Sequence, residues 1–104
     1  MRSSSNNYRR GVEWEREVKR AFERKGWLVL RSAGSRGPFD LACFGNGEVL
    51  LIQCKLSRPP TGSEMLRMLS IAHKHFNRWN INCLCLVKRD PRSREFLKNL
   101  QEVK

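Results

Sequence analysis

The sequence predicts an α/β domain with the element order α-β-β-β-α-β-α, and three observations carry that reading. Apolar residues recur at helical spacing from about Arg10 to Lys25 and again from Ser63 to about Arg78. Between these stretches lie three apolar runs of strand length, two of them separated by the Asn46-Gly47 pair of a tight hairpin. A fourth such run, Ile81 to Val87, follows the second helix.

Each element has a local reason. On a wheel of ~100° per residue, Trp14, Val18, Ala21 and Phe22 share one face of the first helix. Gly26 is its natural stop. Trp27 to Arg31 reads as a strand, Ser32 to Pro38 as a loop of small residues, and Phe39 to Phe44 as the second strand. Glu48 to Lys55 is apolar on both faces, which marks a central strand. Ser57 to Gly62 is a loop, after which Ser63 is placed to cap the second helix. Met65, Leu69, Ala72 and Phe76 give that helix its apolar stripe. Asp90-Pro91 ends the fourth strand, and Ser93 to Val103 has room for a short last helix. Residues 1–8, small and polar, read as an arm, and 9–104 as a single domain without repeat or linker.

Composition narrows the function. The 104 residues carry 21 Lys and Arg against 10 Asp and Glu, a net charge of +11. Residues 1–36 hold ten basic and four acidic residues and 37–104 hold eleven and six, so the folded body is basic throughout. Such a surface favours nucleic acid, whose phosphates release counterions on neutralisation. An anionic membrane would call for a basic helix with bulky apolar residues opposite, and no segment has that pattern. No apolar run approaches the ~18 residues of a membrane span, and the N-terminus lacks the apolar stretch of a signal peptide. A soluble protein of the cytoplasm is expected. Cys43, Cys54, Cys83 and Cys85 lie in strand-like runs without zinc-ligand spacing, which fits free thiols in a reducing compartment. His73 and His75, two apart on a helix, diverge.

Four polar residues break the apolar pattern. Glu15 falls beside Phe22 inside the apolar face of the first helix, whereas Glu13 and Glu17 point away. A carboxylate there needs a cation or a donor; complementing the helix dipole is a role that suits Glu13 better. Asp40 opens an apolar strand, a place where an acid after a Gly-Pro turn is also common. Gln53 and Lys55 share one face at the end of the central strand, with Cys54 opposite. The strand reaching solvent would explain Lys55 alone, but not the whole set. Oxygen donors suit Mg²⁺. A lysine beside them can stabilise charge growing on a phosphate.

Pro38-Phe39-Asp40 and Gln53-Cys54-Lys55 resemble the two signature segments of the PD-(D/E)XK nuclease superfamily. Arg10-Gly11, Glu15-Arg16-Glu17, Gly26-Trp27 and Arg31-Ser32-Ala33-Gly34-Ser35 are similar to the archaeal-type Holliday junction resolvases and their viral and phage relatives. The likeness covers residues 9–56. It implies a restriction-endonuclease-like αβββαβ core, a central mixed sheet flanked by helices. It implies Glu15, Asp40 and Gln53 as ligands of Mg²⁺, or of Mn²⁺ in its place, and Lys55 as the catalytic lysine. It implies DNA contacts from Arg16, Arg31, Ser32 and Ser35, and the basic residues Arg9, Arg10, Arg36 and Arg58 are further candidates for DNA contact. The expected enzyme is a homodimer making paired nicks in four-way DNA junctions. Gln53 departs from the family's usual Glu, as in Mrr-like restriction enzymes of the same superfamily. That departure keeps two alternatives open, another nuclease of this fold or a DNA-binding protein that has lost its chemistry. Phe76, Trp79 and Phe96 are the candidates for a dimer face, with core positions as the other reading.

Overall fold

The structure, a computed structural model, describes residues 2–32, 37–76 and 79–102, apart from the side chains of residues 2–6. The elements are α1 (Arg2–Arg24), β1 (Leu28–Arg31), β2 (Leu41–Gly45), β3 (Glu48–Lys55), α2 (Gly62–Phe76), β4 (Ile81–Val87) and α3 (Pro91–Glu102). The strands form one sheet in the order β1-β2-β3-β4. β1, β2 and β3 are an antiparallel meander, and β4 pairs parallel to β3 after the α2 crossover. The sheet is therefore mixed, as expected.

Asn46 and Gly47 take positive φ, 52° and 75°, as a tight hairpin between β2 and β3 demands. Gly26 ends α1 in the left-handed region at φ 93°. There the Trp27 N–H donates back to Phe22 O at 3.1 Å, closing the helix.

Besides shifts of one or two residues at the ends of β1 and β2, three boundaries differ from the sequence reading. α1 begins at Arg2 rather than near Arg10, so residues 2–8, read as an arm, have helical backbone. Extending a helix that tertiary packing has already nucleated costs little per residue, even through Ser and Asn. The cap of α2 is Thr61, not Ser63: Thr61 Oγ1 accepts the Glu64 N–H at 3.2 Å. α3 starts at Pro91, because Asp90 Oδ1 accepts the Arg92 N–H at 2.9 Å and Pro suits the first helical position. Arg78 and Val103, the expected ends of α2 and α3, lie outside the described residues.

Alternation along the strands sends side chains to two layers. On one face Val29, Leu41, Cys43, Ile52 and Leu86 meet Trp14, Val18, Ala21 and Phe22 of α1 and Leu97 of α3. The buried Trp14 indole donates to Leu86 O at 3.0 Å, so its one polar atom is satisfied. On the other face Val49 and Leu51 meet Ala72 of α2. Among the described residues no helix is long and apolar enough to cross a membrane.

Candidate active site

Sheet topology gathers the polar residues at one end. β1 and β3 both run antiparallel to β2, and β4 runs with β3. The C-terminal ends of β1, β3 and β4 thus lie beside the start of β2. Arg31 closes β1, Asp40 precedes β2, and Gln53 and Lys55 close β3.

Asp40 is fixed from both sides. Its N–H donates to Ile52 O at 2.8 Å and its carbonyl accepts the Ser32 N–H at 2.9 Å. Its Oδ2 accepts the Cys54 N–H at 2.8 Å. Burial raises the Asp40 carboxyl above the ordinary carboxylate range; the Cys54 N–H opposes this, Glu15 adds to it and Arg31 opposes it. Glu15 is thus close enough for its carboxylate to repel that of Asp40.

Glu15 reaches this end from α1 with its side chain 17% exposed, and accepts Arg31 Nε–H at 2.9 Å. The acid that looked misplaced on an apolar face is thus met by a cation. Arg31, expected at DNA, has Glu15 as its partner here. Glu15, Arg31, Ser32 and Asp40 line a cleft of about 310 Å³ together with Asn7, Tyr8, Gly11 and Val12 of α1.

Gln53 and Lys55 project to the α2 side, opposite Cys54. Gln53 is 9% exposed, and its Oε1 is buried without a hydrogen-bond partner. An orphaned acceptor of this kind costs free energy unless a donor or a cation meets it. Lys55 Nζ donates to Glu64 Oε1 at 2.9 Å and Oε2 at 3.1 Å. Sequence reasoning missed Glu64, although Thr61-Gly62-Ser63-Glu64 spells a capping box. It also missed Asn7 and Tyr8, which were assigned to an arm.

The oxygen donors present fit a hard divalent cation: two carboxylates and an unsatisfied amide oxygen. Among the described residues no group of three or more His, Cys, Asp or Glu is placed to hold a metal ion by itself. Arg9, Arg10 and Arg16 are exposed on α1, Ser32 at the end of β1, and Arg58 in the loop before α2. Ser35 and Arg36 lie outside the described residues. The four cysteines are free thiols. Burial pushes Cys43 up to about 12, with Glu23 adding to it, and raises Cys54 further, helped by Asp40 and Glu15.

Comparison with known proteins agrees with this geometry. Residues 6–61 match the family model of the archaeal Holliday junction resolvase, Hjc. The chain is 52% identical over 50 residues to the protein named crossover junction endodeoxyribonuclease Hjc of Methanocaldococcus jannaschii. That match takes in 48% of this chain and spans only 37% of the length of the relative. The solved structure of the Holliday junction resolvase Hjc of Archaeoglobus fulgidus shares the fold, with a TM-score of 0.57 at 18% identity. It covers 78% of this chain and 67% of that one. With more than half its length inside the family model, and with the acid and the lysine of the signature segments at one end of the sheet, this chain belongs to the archaeal Holliday junction resolvase family.

Proposed function

We propose that the chain is a structure-specific endodeoxyribonuclease that hydrolyses phosphodiesters in four-way DNA junctions. The observation that carries this is the grouping of Glu15, Asp40, Gln53 and Lys55 at one end of the sheet of a chain with net charge +11. The name of the Methanocaldococcus relative supports the same substrate.

Glu15, Asp40 and Gln53 would hold Mg²⁺, with Mn²⁺ as a substitute. The chemistry such a cation supplies is neutralisation of charge growing on the scissile phosphate. Asp40 is held by strands on both sides, so its carboxylate needs no reorganisation during the reaction. Arg31 aims the Glu15 carboxylate and offsets part of the repulsion between the two acids. The Lys55 ammonium stabilises the phosphate oxygens as water attacks and the P–O bond to the leaving strand breaks. Exposed Arg9, Arg10, Arg16 and Arg58 bind phosphates without reading bases, so recognition rests on junction shape.

Paired nicks call for two sites related by a two-fold axis, and therefore a homodimer. Of the three aromatic candidates, Phe96 packs on Phe22 at 6.1 Å between centroids, and Phe76 is half-buried in the cluster under α2. Trp79 is 60% exposed. Leu28, Leu30, Leu66 and Leu69, also exposed, add apolar surface that a second copy would cover.

One gel tests the reading: a labelled four-way junction and a linear duplex of matched sequence, with Mg²⁺ or EDTA, beside Asp40→Ala. Symmetric nicks in the junction alone, absent in EDTA and in the variant, are expected. Equal cutting of duplex would make this a general nuclease of the same fold. Junction binding without cutting under either Mg²⁺ or Mn²⁺ would make it a binding protein.

A further inference from the structure

We infer that Glu64 is a positioning residue that holds the Lys55 ammonium at the site, an inference that rests on the nuclease reading above. Lys55 has a long flexible stem and, among the described ion pairs, one carboxylate partner, Glu64. Both Glu64 oxygens take part, at 2.9 and 3.1 Å from Nζ.

The carboxylate is itself fixed. Glu64 stands three residues after Thr61 at the start of α2, where the Thr61 N–H donates to Glu64 Oε1 at 2.8 Å and Thr61 Oγ1 accepts the Glu64 N–H. A helix terminus therefore sets the place of the carboxylate, and the carboxylate sets the place of the lysine. Hydrogen bonds from the Thr61 N–H and from Lys55 hold the Glu64 carboxyl below its ordinary range, so it is charged wherever the enzyme would work.

Charge balance points the same way. Gln53, two residues before Lys55 on the same strand face, is neutral where the resembling family usually has an acid. Glu64 returns a negative charge to the lysine from a different element, across the gap between β3 and α2.

Two variants separate positioning from helix capping. Glu64→Gln keeps an oxygen for the cap and removes the charge that holds Lys55. Thr61→Ala weakens the cap and leaves the Lys55–Glu64 pair. In Glu64→Gln, kcat on the junction is expected to fall roughly tenfold, as for a mispositioned catalytic group. Junction Kd should stay at the wild-type value. Acetylation of Lys55 by an N-hydroxysuccinimide ester, read by mass spectrometry against exposed Lys98, should rise severalfold. Thr61→Ala should lower Tm and change neither kcat nor Lys55 acetylation. Wild-type kcat and wild-type Lys55 acetylation in Glu64→Gln would overturn the inference, as would a Thr61→Ala variant that reproduces both changes. If the wild-type protein cuts no junction, the nuclease reading falls, and acetylation alone decides whether Glu64 holds Lys55.

Discussion

Under α1 and α3 the sheet is closed by Trp14, Val18, Ala21, Phe22 and Leu97, and all four strands send buried residues there. Under α2 the apolar cluster has Val49, Leu51 and Ala72 as its buried members. On that side Leu28 and Leu30 are 63% and 55% exposed, and Leu66 and Leu69 of α2 are also exposed. The closed face supplies most of the apolar burial that stabilises the fold. The open face carries Gln53, Lys55 and Glu64, next to surface that another macromolecule can cover. Glu15 reaches this end from the closed face, so the proposed chemistry sits on the seam between the two. A small domain can keep a rigid half and a receptive half because one sheet separates them.

The sharpest way to test that seam is Asp40→Asn. Cleavage should fall roughly 10³-fold, a loss of several kcal/mol of charge stabilisation at the phosphate. Stability should move the other way. The folded-state pKa of Asp40 is raised, so its ionised form is disfavoured in the fold. That cost is absent below the ordinary carboxylate range and fully present above the raised value. In metal-free buffer at neutral pH the variant should melt at or above the wild-type temperature, and the gap should close as pH falls. A variant that loses both activity and stability would show Asp40 to be structural instead.

The next contrast is between the faces themselves. Phe22→Ala, at 1% exposure, should destabilise by about 3–5 kcal/mol in urea unfolding. Leu66→Ser, at 69% exposure, should change monomer stability by no more than about 0.5 kcal/mol. Light scattering on Leu28→Ser/Leu66→Ser should report a loss of the proposed dimer. Equal destabilisation by Phe22→Ala and Leu66→Ser would erase the distinction between the faces.

Gln53→Glu probes the open side more gently. A carboxylate at this site should lower the Mg²⁺ concentration for half-maximal cleavage, by roughly the tenfold that 1.4 kcal/mol of added attraction gives. Without metal it should lower Tm, since the new charge is buried near Asp40 without a protein partner. An unchanged Mg²⁺ requirement would remove Gln53 from the ligand set.

Much of this was legible from local pattern. The apolar face of α1, the Asn46-Gly47 hairpin and the apolar β3 each follow from a few neighbouring residues, and all three stand in the structure. The start of α1 was not legible, because Ser and Asn near the N-terminus are poor helix formers that follow the packed turns after them. Glu15 was marked as anomalous on the helical wheel, but its partner Arg31 is 16 residues away and meets it only through the β1–α1 packing. The Lys55–Glu64 pair was missed for a different reason. The capping box was readable, yet which cation its acid would meet depends on how the crossover returns α2 to the end of β3.

The smallest expected effect concerns the thiols. Cys43 and Cys54 point to the closed face, and Cys83 and Cys85 to the open one. Burial raises all four thiols, Cys43 to about 12. Only the thiolate reacts, so at pH 8 the two closed-face cysteines should alkylate slowest. Cys85 has Lys55 nearby to favour its thiolate, opposed by Glu64 and Asp40. Timed iodoacetamide labelling read by mass spectrometry should therefore give two faster sites, Cys83 and Cys85, and two slower ones. Occupancy of the open face by a second copy should slow the faster pair with rising protein concentration and leave the slower pair unchanged. Labelling of Cys43 at the rate of Cys83 would mean that the face under α1 and α3 opens as readily as the face under α2, and the division of the molecule into a rigid and a receptive half would fail.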